Sequence, residues 1–426
     1  MKNSYISRII DRELNELLPQ LPAVVLEGPK GTGKTETASQ RSKTIYKLDD
    51  LAQYQLIKAD PLRLCKGEQP ILIDEWQQIP ESWDIIRRAI DRDSSPNQFI
   101  LTGSATPTKR PTHSGAGRIV TLRLRPMSLT ERGLESPTVS LKDILNKKNL
   151  KIEGHSNIEL KEYVKEIIAS GFPGLRRYKD RALREQLKSY IERIVDTDFE
   201  ELGRKIRAPH TLKRWMAAYA AATSSTTSYE TIRDAATPGR SNKPAKTTTQ
   251  PYREKLEQLW IIEEVPAWVP SKNQFSRLTA APKHQLADPA LAVSLLGIDG
   301  DALLNGELEG VPHIVRNGTL LGHLFESLVT QSIRVYAQAA EANVKHFRTM
   351  GGRHEVDLIV ERNDQKVVAI EVKLNRSVND ADVKNLLWLK NKLNNDMLDM
   401  ILVNTGPEAY RREDGVAVIP AALLGA

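Results

Sequence analysis

The chain has 426 residues, a formal net charge of +7, and 40% hydrophobic and 27% charged residues, which is typical of a globular protein with two or three domains. Its single cysteine, Cys65, excludes an intrachain disulfide and fits a reducing compartment, so we expect a cytoplasmic protein. Residues 1–20 lack the apolar stretch of a secretion signal, and no apolar run approaches membrane-spanning length. The mild basic excess permits contact with nucleic acid without requiring it.

The amino-terminal part of the chain predicts a helix, a buried strand and a phosphate-binding loop. The helix has one apolar face, made of Ile6, Ile9, Ile10, Leu14, Leu17 and Leu18. The strand Val24–Leu26 leads into the spacing G-x-x-x-x-G-K-T, which is the P-loop pattern. The motif consists of Gly28, Pro29, Lys30, Gly31, Thr32, Gly33, Lys34 and Thr35.

Each residue type in this loop has a role in holding phosphate. The glycines let backbone N–H groups point at phosphate oxygens, Lys34 can reach the β- and γ-phosphates, and the Thr35 hydroxyl can coordinate Mg²⁺. A glycine-rich turn before a helix is the alternative interpretation. We expect the chain to bind a nucleoside triphosphate, with ATP and Mg²⁺ as the ligands.

A second apolar strand, at residues 70–75, ends in two adjacent acids where P-loop proteins carry the Walker B strand. Asp74 would hold Mg²⁺ through its water shell. Glu75 would be the general base that polarises the water attacking the γ-phosphate. Two adjacent acids could instead form a solvated turn, but the P-loop upstream favours the catalytic interpretation.

A third apolar strand, at residues 98–104, ends in small hydroxyl residues. Thr102 and Ser104 are candidates for sensing the γ-phosphate or orienting water, although a plain strand-to-turn transition explains them nearly as well. Arg118 follows the run of mostly small residues 113–117 and could pair with a phosphate in its own subunit or in a neighbour's. It could equally be a surface arginine. The oligomeric state stays open, with a homo-oligomer as one possibility.

The middle of the chain predicts a linker and then a helical domain. Residues 136–156 are polar and rich in lysine, which is typical of a linker or a mobile insertion. Three successive helices are predicted further on, followed by a strand: Thr211–Thr223, Ser228–Ala236, Lys246–Trp260 and then Ile261–Trp268. This order is the layout of a winged helix-turn-helix, in which the basic loop Arg240–Lys243 and the start of the third helix could meet DNA. An all-helical scaffold or a protein-docking winged helix is the alternative.

The carboxy-terminal part places acids and a lysine on a predicted hairpin. Asp357 lies within one apolar strand, and Glu371 and Lys373 end the next. Asp357 and Glu371 could bind one or two Mg²⁺ ions, with Glu326 reaching in from a preceding helix as a third acid. Lys373 lies on the same strand face as Glu371 and could orient the attacking water. Hairpins with acids and lysines on a solvent face are the common alternative, but a charge within an apolar run needs a partner or a metal.

Taken together, these motifs resemble those of a widespread prokaryotic family of AAA-type ATPases with a carboxy-terminal region of unknown function. The segments that resemble the family are 28–35, 73–75, 101–104, 117–118, 126–131, 171–173, 355–357 and 371–373. The resemblance implies an α/β P-loop ATPase core with a parallel sheet, a helical winged-helix-like middle region, and an α/β fold similar to PD-(D/E)xK restriction-type nucleases. The expected boundaries are 1–135 for the ATPase domain, 136–160 for the linker, 161–300 for the helical domain and 301–426 for the nuclease-like domain.

Two functions follow from this organisation. The first is an ATPase whose nucleotide state controls a DNA-binding, nuclease-like carboxy-terminal half, with Lys34, Glu75, Asp357, Glu371 and Lys373 as catalytic residues. The second is a non-cleaving, ATP-dependent switch that binds DNA or a protein partner. A small-molecule kinase is a third reading, but no substrate-pocket signature accompanies the P-loop.

Overall fold

The structure is a computed structural model that describes residues 5–105, 115–147, 151–199, 208–237, 244–270, 281–304 and 318–426. His113 and Ser114, which precede the Arg118 segment, and the predicted basic loop Arg240–Lys243 lie outside these ranges. Within them, every helix is too short or too polar to cross a membrane.

The amino-terminal region alternates strands and helices. Its elements are α1 (Ile10–Leu17), β1 (Ala23–Glu27), α2 (Lys34–Ser39), β2 (Thr44–Lys47), α3 (Leu51–Ala59), β3 (Ile71–Asp74), α4 (Glu81–Arg92), β4 (Phe99–Gly103), β5 (Ile119–Arg123) and α5 (Leu129–Arg132). The strands form one parallel sheet in the order β2-β3-β4-β1-β5. The expected α/β domain with a parallel sheet is confirmed.

Both faces of this sheet are covered, which explains why its strands are nearly continuous apolar runs. Val25 and Ile73 face one apolar layer, where α4 packs through Ile86. Val24 on the opposite face belongs to a second layer with Leu14 of α1. Because β4 lies between β1 and β3, the carboxyl ends of these three strands meet at one edge of the sheet.

The middle region is helical. Its elements are β6 (Val139–Ser140), α6 (Leu141–Leu145), β7 (Gly154–His155), α7 (Leu160–Ala169), α8 (Asp180–Arg193), α9 (Pro209–Ala221), α10 (Tyr229–Ala235), α11 (Lys246–Gln258), α12 (Pro289–Leu296) and α13 (Gly300–Leu304). A π-helical turn, Ile194–Asp198, continues α8. The three helices predicted before the strand correspond to α9, α10 and α11.

The carboxy-terminal region is a sheet flanked by two long helices. Its elements are α14 (Gly318–Ala339), β8 (Asn343–Arg348), β9 (Glu355–Glu361), β10 (Val367–Val372), α15 (Asp380–Leu393), β11 (Met397–Asn404), β12 (Glu408–Arg411), β13 (Ala417–Pro420) and β14 (Leu424–Gly425). The sheet order is β7-β12-β13-β11-β10-β9-β8. β8, β9 and β10 pair in antiparallel fashion, whereas β10, β11 and β13 pair in parallel.

Two segments, 261–268 and 281–286, form a ribbon between the middle and carboxy-terminal regions. Isolated antiparallel bridges join Ile262 to Leu286 and Val265 to Lys283. On its other side, Ala267 bridges to His346 of β8, so the ribbon extends the edge of the carboxy-terminal sheet. The predicted strand after the third helix therefore exists as this ribbon.

The expectation of a linker at 136–160 is wrong for the part of it that the structure describes. Val139 and Leu141 are buried, and both belong to the apolar cluster that runs into the carboxy-terminal region. β6 pairs with β14, and β7 pairs with β12. The segment was predicted to be a linker because most of its residues are polar or lysine. Its few apolar residues are nevertheless enough to pack a short stretch of chain against the apolar cluster of the neighbouring region.

Candidate nucleotide-binding site and acidic cluster

The P-loop, residues 28–35, forms a tight cradle between β1 and α2. A side chain at residue 28 would place its Cβ 2.1 Å from the backbone oxygen of Leu124, so this position accepts only glycine. Gly33 has a φ of 94°, in the left-handed region that favours glycine, directly before α2 begins. The Thr32 hydroxyl donates to the Pro29 carbonyl at 3.0 Å and closes the loop on itself. The sequence thus needs its glycines to hold this shape.

Lys34 lies inside the cradle and is only 4% exposed. Its ammonium group donates to the carbonyl oxygens of Gly28 and Pro29, each at 2.9 Å. Burial lowers the pKa of Lys34 to about 8, and the nearby Glu75 carboxylate opposes that shift. The ammonium group is therefore held by neutral carbonyls that it could exchange for phosphate oxygens.

Asp74, at the end of β3, accepts hydrogen bonds from two hydroxyl groups. Thr35 donates to its Oδ1 atom at 2.8 Å, and Thr102 donates to the same oxygen at 2.5 Å. Burial raises the pKa of Asp74, while both hydrogen bonds oppose that rise. The adjacent hydroxyl and carboxylate oxygens of Thr35 and Asp74 fit Mg²⁺, which commonly takes few protein ligands and keeps its other positions for water and phosphate.

Glu75 follows directly and has a strained backbone, with φ at 54° in the left-handed region. Such strain is concentrated at functional sites. Ser104 donates to the Glu75 Oε2 atom at 2.7 Å, and the side-chain amide of Gln77 donates to the same oxygen. The backbone N–H of Glu75 donates to the Thr102 hydroxyl at 3.1 Å. Gln77 was not predicted as a site residue, although the sequence shows a polar side chain two positions after the second acid.

The structure therefore brings most of the predicted nucleotide residues to one edge of the sheet. Those that meet there are Lys34, Thr35, Asp74, Glu75, Thr102 and Ser104, together with the glycines of the loop. Their assigned roles toward a nucleotide stay predictions.

Arg118 is not brought to this edge in its own chain. It precedes β5, whose first residue Ile119 pairs with Ala23 at the start of β1, so Arg118 lies at the opposite end of the sheet. Its guanidinium group forms an ion pair with Asp91 near the end of α4, and its side chain is 41% exposed. Of the open interpretations, pairing with a phosphate in its own subunit is wrong because the strand direction points Arg118 away from the P-loop.

The cradle touches the helical middle region. Lys30 pairs with Asp198 at 2.7 Å, and the Tyr190 hydroxyl donates to the Lys30 carbonyl at 3.0 Å. A Cβ on Gly31 would lie 3.8 Å from the ring of Phe172. Lys30 thus connects the P-loop to α8 and its π-helical turn.

Two arginines near the cradle, the buried Arg8 and the half-buried Arg123, were also missed. Arg8 donates to the Thr32 carbonyl at 2.9 Å and pairs with Glu131 at 2.9 Å. Arg123, at the end of β5, stacks 3.5 Å over the Trp260 ring, and its guanidinium nitrogens have no hydrogen-bond partner among the described residues. Burial lowers the pKa of Arg123 to about 9, and the Glu263 carboxylate opposes that shift. Neither arginine belongs to a local motif, so pattern reasoning could not find them.

The acids predicted in the carboxy-terminal region do come together. We call Glu326, Glu355, Asp357 and Glu371 the acidic cluster. Asp357 accepts a hydrogen bond from the Val372 backbone N–H at 2.9 Å, which joins β9 to β10. Lys373 pairs with Glu371 at 2.7 Å.

A lysine that the sequence reasoning missed lies at the centre of this cluster. The ammonium group of Lys283 lies 2.9 Å from Glu326 Oε1, 2.9 Å from Asp357 Oδ1 and 3.2 Å from Glu355 Oε1. Burial alone would lower the pKa of Lys283, but Asp357 and the neighbouring acids raise it well above its usual value. Across the described residues, no group of three or more His, Cys, Asp or Glu side chains is arranged to hold a metal ion. The predicted magnesium site of Glu326, Asp357 and Glu371 therefore does not fit the ion, because Lys283 pairs with Glu326 and Asp357, and Lys373 pairs with Glu371.

Burial has a strong effect on two of the acids. It raises the pKa of Glu326 to about 8 and that of Glu371 to about 8, and the charge of Asp357 adds to both shifts. The Glu371 Oε2 atom is buried and accepts no hydrogen bond from any described residue.

Three family models match successive parts of the chain. Residues 20–132 match an AAA domain, residues 160–302 match a domain of unknown function (DUF8612), and residues 321–424 match another domain of unknown function (DUF4143). The chain therefore carries an AAA-type P-loop ATPase domain, and its parallel sheet is consistent with that class. Apart from the linker, the domain boundaries predicted from the sequence stay predictions.

Curated relatives are similar to part of the chain. The uncharacterized protein Rv2008c of Mycobacterium tuberculosis and the uncharacterized protein Mb2031c of Mycobacterium bovis are each 24% identical over 294 residues. The match covers 67% of this chain and spans only 58% of the length of each relative. Among solved structures, the structure of Drosophila ORC bound to DNA matches with 14% identity, covering 68% of this chain and 85% of that chain, with a TM-score of 0.19. A TM-score this low supports no conclusion about fold or ligand.

Proposed function

We propose that the protein is an ATP-dependent switch that binds ATP with Mg²⁺ at the P-loop and hydrolyses it. The observation that carries this proposal is the hydrogen-bonded chain at the sheet edge, in which Thr35 and Thr102 share one oxygen of Asp74 while Ser104 and Gln77 hold Glu75. The Glu75 backbone N–H donates to the Thr102 hydroxyl and so links the two oxygens that fit Mg²⁺ to the carboxylate that would act on water.

In this mechanism the loop amides and Lys34 hold the β- and γ-phosphates, and Thr35 and Asp74 hold Mg²⁺. The metal ion, when bound, neutralises the charge on the transferring phosphoryl group. Glu75 accepts a proton from the attacking water, and Ser104 and Gln77 keep its carboxylate oriented. Loss of the γ-phosphate would free Lys34 to return to the carbonyls of Gly28 and Pro29.

The contact of the cradle with α8 supports a further part of the proposal, that nucleotide state is passed to the helical region. Lys30 is part of the phosphate loop and also pairs with Asp198, so a shift of the loop on nucleotide binding would move that pair. DNA is the partner that we propose for the helical region. Lys246 and Thr247 are exposed at the start of α11, the helix that would be the recognition helix of a winged helix-turn-helix.

Between the two functions that the sequence left open, the geometry favours the non-cleaving switch. A nuclease needs its acids to hold a divalent cation, and here Lys283 lies among them.

Two substitutions test the nucleotide site. Lys34→Ala should abolish binding of ATP, measured by calorimetry with Mg²⁺, because the phosphates lose their principal cation. Glu75→Gln should keep ATP binding and lower the hydrolysis rate by roughly 100-fold or more, the usual contribution of a general base. The matched controls, Lys43→Ala and Glu68→Gln, change residues whose side chains are 63% and 82% exposed, and both should behave as the unaltered protein. Undiminished ATP affinity in Lys34→Ala would refute the site.

A further inference from the structure

Lys283 is held by its ribbon rather than by the acids alone. Its backbone exchanges two hydrogen bonds with Val265, each of 2.9 Å. The next residue, His284, donates its backbone N–H to the Ser225 carbonyl at 2.9 Å, and its ring nitrogen Nε2 lies 2.6 Å from the Thr227 carbonyl oxygen. The backbone position of Lys283 is therefore set by the middle region, while its side chain reaches into the carboxy-terminal one.

The ammonium group lies where the carboxylates converge. Lys283 has a side chain only 1% exposed, and its closest acids, Glu326 and Asp357, have side chains 10% and 12% exposed. An acid so far from water either keeps its proton, as the raised pKa of Glu326 allows, or needs a cation close by, because an uncompensated buried charge is costly. Lys283 supplies that cation to three acids at once, and Lys373 supplies one to Glu371.

A divalent cation would compete for the same oxygens. To bind Asp357 it would have to approach an Oδ1 atom that already lies 2.9 Å from an ammonium group, and the other oxygen of Asp357 accepts the Val372 N–H. The buried and unpartnered Oε2 atom of Glu371 is the one oxygen of the described cluster that points to a missing partner. One free oxygen is too few to hold Mg²⁺ or Mn²⁺ against the repulsion of two lysines.

We propose that Lys283 is a built-in counter-cation that keeps divalent metal ions out of the acidic cluster. The ammonium group does by electrostatics what a metal ion would do in a nuclease, namely neutralise the converging acids, but it provides no coordination position for water or phosphate. The ribbon that carries Lys283 also connects the middle region to the carboxy-terminal sheet. This proposal is independent of the nucleotide site.

The proposal is tested by titrating the nucleotide-free full-length protein with Mn²⁺ and measuring the concentration of free Mn²⁺ by electron paramagnetic resonance. The unaltered protein and Asp357→Asn should bind the same number of Mn²⁺ ions, because the unaltered protein holds no ion at Asp357. Lys283→Ala should gain about one Mn²⁺ per chain, because the substitution removes the competing charge and opens space. The double variant Lys283→Ala with Asp357→Asn should lose that ion, and Lys283→Arg, which keeps the positive charge, should not gain it.

Thermal unfolding gives a second readout. Without metal, Lys283→Ala should unfold at a lower temperature than the unaltered protein, and Mn²⁺ should raise its midpoint by more than it raises the midpoint of the unaltered protein or of the double variant. Two results would overturn the proposal: an Asp357-dependent Mn²⁺ in the unaltered protein, or a folded Lys283→Ala that takes up none. If Lys283→Ala cannot be purified in folded form, an Mn²⁺ ion that the unaltered protein binds and Asp357→Asn does not would still overturn the proposal.

Discussion

At the scale of the residue, Lys34 shows how burial prepares a group for its ligand. The nucleotide-free protein holds it against two carbonyls, and burial lowers its pKa to about 8. A lysine with a pKa near neutrality is charged at lower pH and loses its proton as the pH rises through that value. Phosphate binding needs the charged form, so the proposed nucleotide site should lose affinity as the pH rises just above the physiological range.

We expect the affinity for ATP to be flat below about pH 7.5 and to fall by up to roughly tenfold per pH unit above about pH 8. Bound phosphate would raise the pKa of Lys34 again, so ATP binding at about pH 8.5 should take up a proton. Calorimetry in two buffers with different ionisation enthalpies measures that uptake.

Lys34→Arg is the control for this pH dependence, because a guanidinium group stays protonated throughout the range. Whatever its absolute affinity, this variant should lack the decline above about pH 8. A decline of the same slope in Lys34→Arg would assign the effect to another group.

The residue scale also shows what motifs can and cannot predict. Lys34, Thr35 and Asp74 were predictable because their chemistry depends on spacing within a few residues of a strand end. Lys283 was not, since it acts on Asp357, which is 74 residues away in the chain. A lysine in a polar stretch has no local signal that it will be buried among acids.

At the scale of the element, α1 and α5 are connected through the phosphate loop. Arg8, just before α1, reaches the Thr32 carbonyl and pairs with Glu131 of α5, and both side chains are almost fully buried. The same glutamate closes a capping box with Ser128 at the start of α5. The buried ion pair between Arg8 and Glu131 therefore holds the phosphate loop against both the start of α1 and α5.

Arg8→Ala should lower the free energy of unfolding by about 3–5 kcal/mol, because it leaves Glu131 buried without its cation. Chemical denaturation monitored by circular dichroism measures the loss. Arg12→Ala, a change at an exposed arginine within α1, should cost less than about 0.5 kcal/mol. Equal stabilities of the two variants would show that the pair contributes little.

Elements with strong periodicity could be predicted, and elements that depend on distant partners could not. The strand predicted to end with Glu371 and Lys373 is β10, which ends at Val372, and the predicted third helix is α11, which ends two residues before the predicted end. The short strands β6 and β7 were not foreseen because each consists of two residues that gain stability only by pairing with β14 and β12. Sheet order likewise depends on long-range pairing that no local pattern reports.

At the scale of the whole molecule, the proposed switch depends on the pair between Lys30 and Asp198. These residues are 168 positions apart, and their contact joins the ATPase domain to the helical region at the nucleotide cradle itself. A signal from the γ-phosphate would have one short path to the helices, through the loop that holds it.

Asp198→Ala should therefore uncouple the two regions. In the unaltered protein, we expect ATP with Mg²⁺ to change the affinity for a short DNA duplex by roughly fivefold or more, a typical allosteric coupling. In Asp198→Ala that ratio should approach one, while ATP still binds. Fluorescence anisotropy of labelled duplex, with and without nucleotide, measures both affinities.

Two further variants separate coupling from DNA binding. Lys246→Glu reverses an exposed charge at the start of α11 and should weaken DNA binding in both nucleotide states. Lys384→Glu makes the same change at an exposed position of α15 and should have little effect. Full nucleotide control of DNA affinity in Asp198→Ala would rule out this path.

The pairing of β6 with β14 and of β7 with β12 has a consequence for recombination between related proteins. Residues 136–160 follow the ATPase domain in the chain, yet their strands complete sheets that belong to the far end of the molecule. A chimera that exchanges only the last third of the sequence would separate these strands from partners adapted to them. Crossovers that preserve folding should fall before β6, so that β6 and β7 come from the same parent protein as their partners β14 and β12.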